Sequence, residues 1–159
     1  MLLFLTFVIM KIEQEIKQYR FESNLHKALI NLLYTNNWHR DLLQSIFKEF
    51  DLQQQHYNIL RILKGSHPEP VSPGYIKEVM LDKGTDLTRL LDKLERKSLI
   101  VRKLCESNRR KIDINLTEQG LELLGRIRPV FNKLNEEISN NLSEVEAQQL
   151  SDLLDKLRG

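Results

Sequence analysis

Lys83 to Lys111 reads KGTDLTRLLDKLERKSLIVRKLCESNRRK, and the fold turns on this stretch. In its first half Leu87, Leu90, Leu91 and Leu94 recur at spacings of three and four, one apolar face of a helix. Thr85, Asp86, Thr88 and Arg89 form the polar start of that helix, and the pattern predicts that it runs from Thr85 to near Ser98. Beyond it, Ile112, Ile114 and Leu116 alternate with Lys111, Asp113 and Asn115, the period of a half-buried strand. Cys105 to Arg110 is then the turn of a two-stranded ribbon with arginines at its tip. A helix that can enter a major groove, followed at once by a ribbon with a basic tip, is the arrangement of a winged helix-turn-helix.

The charge distribution agrees. Net charge is only +2, but Lys83 to Lys111 holds ten basic and four acidic residues, so the stretch is +6 and the remainder −4. Such asymmetry is the electrostatic footprint of a nucleic-acid-binding face. The 159 residues suffice for one domain with a real core, and 41% apolar with 29% charged residues describes an ordinary soluble chain. A single cysteine excludes an internal disulfide framework and a Cys-rich zinc site, and fits a reducing cytoplasm.

Working outward, Met1–Met10 (MLLFLTFVIM) is strongly apolar but shorter than the roughly 20 residues a bilayer span needs. It also lacks the basic start and cleavage site of a secretory signal. A misassigned start or a dimer-interface segment is the better expectation. Ser23–Phe50 reads as one long helix, with Leu25, Leu29, Leu32, Asn36, His39, Leu43, Ile46 and Phe50 stepping by four and three as a seam. Asp51, with Gln54 three residues on, has the pattern of a capping box for the next helix. Ser72–Pro73 opens a short helix in which Tyr75, Ile76, Val79 and Met80 are expected to be buried. Thr117 caps a long final segment, Ser143 and Glu146 form a second capping box, and Leu150, Leu153, Leu154 and Leu157 line the last helix. That helix has little chain left to pack on, so a partner subunit is its natural cover.

Three segments together resemble the MarR family of bacterial transcription regulators. They are QQHYNILRILKG (Gln54–Gly65), DLTRLLDKLERKSLIVR (Asp86–Arg102) and NRRKIDINLTEQG (Asn108–Gly120). The resemblance implies a mainly α (α+β) fold, with a winged helix-turn-helix lobe (51–116) between N-terminal (1–50) and C-terminal (117–159) dimerisation helices. It implies a cytoplasmic homodimer on double-stranded DNA with a pseudo-palindromic operator, repressing transcription until a small aromatic effector releases it. By position Thr85, Asp86, Thr88, Arg89 and Lys93 belong to the groove-facing helix, and Arg109, Arg110 and Lys111 to the wing tip. Asn36, Trp38 and His39 are the candidates for an effector site. Two places depart from the family pattern. Asn108 stands where the family's wing has aspartate, depriving Arg110 of an ionic partner. Ser98 stands where glycine is usual between helix and wing, and there it bears strain unless the helix ends differently.

Enzymatic signatures are missing. There is no phosphate-binding glycine loop, no G-x-S-x-G, and no H-E-x-x-H around His26, His39, His56 or His67. No cofactor and no metal are expected. Cys105, beside Lys103, reads as a small residue on the wing strand. The rival to DNA binding is a winged-helix adaptor for protein contacts, which would have no use for Arg109, Arg110 and Lys111 together.

Overall fold

The computed structural model describes residues 10–105 and 108–159, the side chains of Arg109 and Arg110 excepted; the apolar Met1–Ile9 lies outside the described residues. The chain divides into two compact units, residues 1–49 and 50–159. The first holds α1 (Ile12–Glu15) and α2 (Asn24–Glu49). Ser23 caps α2, its Oγ accepting from the His26 amide at 3.0 Å. Two contacts tie α1 to α2: Tyr34 donates to Glu15 at 2.7 Å, and Lys27 pairs with Glu13. Of the expected seam only Leu43 is buried and Ile46 half-buried in the last turns of α2, where Phe47, outside that seam, is buried with them. Leu25, Leu29, Leu32, Asn36 and His39 are exposed.

The second unit is the winged lobe with the chain that follows it. It contains α3 (Gln54–Ser66), α4 (Pro73–Val79), α5 (Leu87–Arg96), β1 (Ile100–Cys105), β2 (Asn108–Leu116), α6 (Glu118–Ser139) and α7 (Glu144–Arg158). Ile59, Leu60, Leu63, Ile76, Leu94, Ile100, Ile114 and Ile127 form its core, all nearly sealed from solvent. α3 is central and packs on α4, α5, α6 and β2. Tyr57 stacks on Phe131 of α6, with ring centroids 4.9 Å apart.

The α3 start departs from expectation. Asp51 is not its cap: α3 begins after Gln53, whose amide donates to His56 Nδ1 at 3.0 Å. Asp51 instead takes a left-handed backbone (φ 49°). In α4, Ser72 caps and Pro73 follows as expected, but Tyr75 and Val79 are exposed. Ile76 and Met80, four apart, form the stripe that faces the core. Tyr75 and Val79 form the neighbouring stripe, which a seven-residue helix turns toward solvent.

β1 and β2 pair antiparallel, with Arg102 opposite Ile114 and Leu104 opposite Ile112. Val71 adds a bridge to Ile114 (N–O distances 3.0 and 2.9 Å), a third edge at the ribbon's base. Beyond that bridge the ribbon has two strands, which is why Ile112 is exposed while Ile114 and Leu116 are buried. Cys105 and Asn108–Arg110 belong to the strands rather than to the turn expected over Cys105–Arg110, of which 106–107 lie outside the described residues.

The helix-to-wing turn explains two sequence features. Ser98 has φ 56°. Its amide donates to Glu95 O at 2.8 Å, and the Leu99 amide reaches Leu94 O at 3.0 Å, a Schellman ending with Ser98 in the glycine place. Buried Leu94 and Leu99 complete the motif. At the far end of β2, Thr117 Oγ accepts from the Gly120 amide at 3.1 Å and donates to Ser98 O at 2.7 Å. A Cβ at Gly120 would lie 2.4 Å from Leu99 O, so the first turn of α6 can press on the helix-to-wing link only with glycine there. α6 then runs through Pro129, and Ser143 with Glu146 caps α7 reciprocally.

Candidate nucleic-acid interface

α5 is two residues shorter at each end than its sequence pattern predicts. Asp86 is its N-cap, with Oδ1 accepting from the Arg89 amide at 3.3 Å, and Lys97 is its C-cap. Thr85 therefore precedes the helix, and its side chain bonds to Asp82. Asp82 also accepts from Gln55 (3.2 Å) and from the Gly84 amide (3.1 Å), and these bonds together hold its carboxyl below the usual range. Thr85 and Asp86 thus shape the entry to the helix.

Leu90, Leu91 and Leu94 turn inward, leaving Thr88, Arg89, Asp92 and Arg96 around the outward side. The charges of this helix fall into three groups. Lys93 and Lys97, one turn apart, reach Asp51 at 3.2 and 2.8 Å. These two lysines hold the Asp51 carboxyl down at about 2. Asp92 and Glu95 receive the Arg102 guanidinium from β1, at 2.7 and 2.5 Å. Between these clamps lie Arg89 and Arg96, both exposed and neither bonded to a carboxylate among the described residues. Arg96 Nε reaches only the Asp92 carbonyl, at 3.3 Å.

His56 sits behind the Asp51 clamp, 1% exposed. Burial, then the nearby Lys93 charge, push its imidazole down to about 4. It stays neutral, which lets Nδ1 accept the Gln53 amide.

The sequence-predicted residues thus separate. Thr88 and Arg89 share one exposed surface, and Lys111 is exposed on β2. Lys93 lies beside them but is ion-paired. The side chains of Arg109 and Arg110 lie outside the described residues, and their backbone opens β2. Arg96 escaped the sequence reading, although its place seven residues after Arg89 puts it on the same helix face. In the first unit, Trp38 lines two shallow grooves, one with Tyr34, Asn37, Asp41, Leu42 and Ser45, the other with Met10, Ile12, Glu15, Asn31, Tyr34 and Thr35. Asn36 and His39 line neither, because they project elsewhere from α2. Among the described residues no group of three or more His, Cys, Asp or Glu could hold a metal ion, and no helix is long and apolar enough to cross a membrane.

A helix capped for entry, clamped on both flanks and followed by a two-stranded ribbon defines a winged helix-turn-helix protein. No protein-family model matches the chain. Among solved structures, it is similar to a MarR transcription factor from Planctomyces limnophilus (31% identity over 86% of this chain and 98% of that one, TM-score 0.66). It is also similar to wild-type E. coli MarR in its apo form (26%, 80% and 93%, TM-score 0.62). It shares its fold with S. aureus MepR in a DNA complex (22%, 85% and 96%, TM-score 0.72). The chain belongs to the MarR family of transcription factors.

Proposed function

We propose that this regulator grips double-stranded DNA as a homodimer and represses transcription until a small aromatic effector releases it. The observation that carries the reading is the sorting of charge on α5. Its lysines are tied to Asp51 and its carboxylates to Arg102, while Arg89 and Arg96 point outward with no carboxylate partner among the described residues. A forked, permanently charged donor near the start of such a helix matches a guanine edge, and one near its end matches a phosphate. The DNA complex of the structurally similar MepR supports the partner class. The apolar stripe of α7 supports self-association. For the effector, the support is narrower: Trp38 and Tyr34 border both grooves in the first unit, and an aromatic carboxylate is the class to try.

The test is a salt titration of binding to a selected duplex and to a scrambled one. Arg89→Ala should cost about 1–3 kcal/mol on the selected duplex and flatten discrimination at one or two base pairs. Arg96→Ala should weaken both duplexes alike and lower the salt slope by about one per lost phosphate contact. Wild-type protein that binds neither duplex would hand the case to the adaptor reading.

A further inference from the structure

Arg102 lies in the most basic part of the chain, yet its guanidinium points back into the protein. Nε donates to Glu95 Oε2 at 2.9 Å, and Nη2 reaches the same oxygen at 2.5 Å and Asp92 Oδ1 at 2.7 Å. Glu95 Oε1 also accepts the Arg102 backbone amide at 3.1 Å. One carboxylate therefore holds both main chain and side chain of the same strand residue, and a second closes the clamp from one turn earlier on α5. The Arg102 side chain is only 26% exposed.

The link it spans is short. Lys97, Ser98 and Leu99 join α5 to β1, with Ser98 left-handed. Arg102 stands opposite Ile114, the residue that Val71 bridges just before the cap of α4. The clamp thus ties the outward flank of α5 to the last point at which the ribbon is anchored. Beyond it only two strands continue. We propose that Arg102 is a positioning residue for DNA recognition: through Asp92 and Glu95 it sets the tilt of the wing relative to α5, so that helix and wing tip meet one duplex together. This rests on the DNA-binding reading above. A single-site phosphate contact would have left the fork open; here it is closed on carboxylates.

The sign of electrostatics makes the idea testable. In the triple variant Asp92→Asn, Glu95→Gln, Arg102→Gln the clamp is gone and each protomer is one unit more positive. Charge alone then predicts tighter binding to every duplex. Positioning predicts a loss of about tenfold or more on a duplex long enough for helix and wing, the scale of a coupled network. On a duplex trimmed to the helix contacts, binding should be unchanged or tighter. Arg102→Lys keeps the charge but loses the fork, and should fall between wild type and triple variant on the long duplex. Thermal unfolding of each variant, read alongside, shows whether the lobe is folded, and Arg102→Lys carries the comparison if the triple variant is not. Equal losses on both duplexes, or wild-type binding to both, overturn the proposal. Wild-type protein that binds neither duplex overturns the DNA reading instead, a result visible before any variant is compared.

Discussion

The winged lobe and the terminal helices use the same leucine-rich vocabulary with opposite results. In the lobe, Leu60, Leu63, Leu90, Leu91 and Leu94 are all buried within one chain. In α7, Leu150, Leu153 and Leu157 are 48%, 64% and 45% exposed, and in α2 Leu25, Leu29 and Leu33 are exposed as well. Helical periodicity is equally clear in both. The lobe brings α4, α5, α6 and the ribbon around α3, so each apolar face meets another. α7 is a single helix whose caps are satisfied but whose apolar stripe is not covered. A stripe of that kind on a monomer points to a second copy.

Four substitutions or conditions sharpen this contrast. The largest effect is expected at the lobe's tightest joint. Gly120→Ala drives a methyl into Leu99 O and Leu116, and the backbone oxygen cannot move without opening the helix-to-wing turn. A loss of about 3 kcal/mol, or a fall in Tm of roughly 6–12 °C, should appear in thermal unfolding. An unchanged Tm would mean that α6 does not press on that turn in solution.

Next comes the uncovered stripe. Leu153→Glu with Leu157→Glu should leave the lobe's own packing intact, since neither side chain is buried in the single chain. If a second copy covers them, the dimer dissociation constant should rise by at least about 100-fold, since each dimer loses four leucines, each worth up to about 1.5–3 kcal/mol when buried. Sedimentation at several concentrations measures this. A dimer indifferent to both charges would move the interface away from α7.

The pH dependence isolates the lobe. His56 ionises near its usual 6.5 in the unfolded chain but at about 4 when folded. Between those values the unfolded chain binds more protons, so stability should fall as pH drops from 6.5 toward 4. His56→Gln should flatten the curve in that window. Denaturant unfolding at several pH values checks it, and a slope unaltered by the substitution would place the acid sensitivity elsewhere. Asp51, held at about 2 by Lys97 and Lys93, adds its own loss only at lower pH, as it falls through the range from its usual 3.8.

The smallest effect is expected at Ser98. Its left-handed backbone costs a non-glycine residue about 1 kcal/mol, partly offset in glycine by a larger loss of chain freedom. Ser98→Gly should therefore stabilise the lobe by roughly 0.5 kcal/mol, seen as a small rise in denaturant midpoint. A decrease would show that the Ser98 side chain contributes more than its backbone strain costs.

Local chemistry sufficed wherever a signal acts within a few residues. Ser72, Thr117 and Ser143 cap the helices they precede, because a side-chain oxygen three residues from an open amide needs no distant partner. The leucines of α5 declared their face by spacing, while the glycine-like place of Ser98 came from the resemblance to the MarR family. Tertiary structure decided the rest. Asp51 looks like a cap in sequence and became a clamp, because Lys93 and Lys97 arrive from 42 and 46 residues away. Tyr75 and Val79 look like core and face solvent, since a short helix offers two apolar stripes and the lobe takes one. Lys93 and Arg102 count toward a basic stretch, yet their charges are spent on carboxylates inside the lobe. Arg96, counted in the same stretch but not assigned to the groove-facing set, was left open. Composition sets how many charges a stretch carries; only the folded chain determines which of them still face outward.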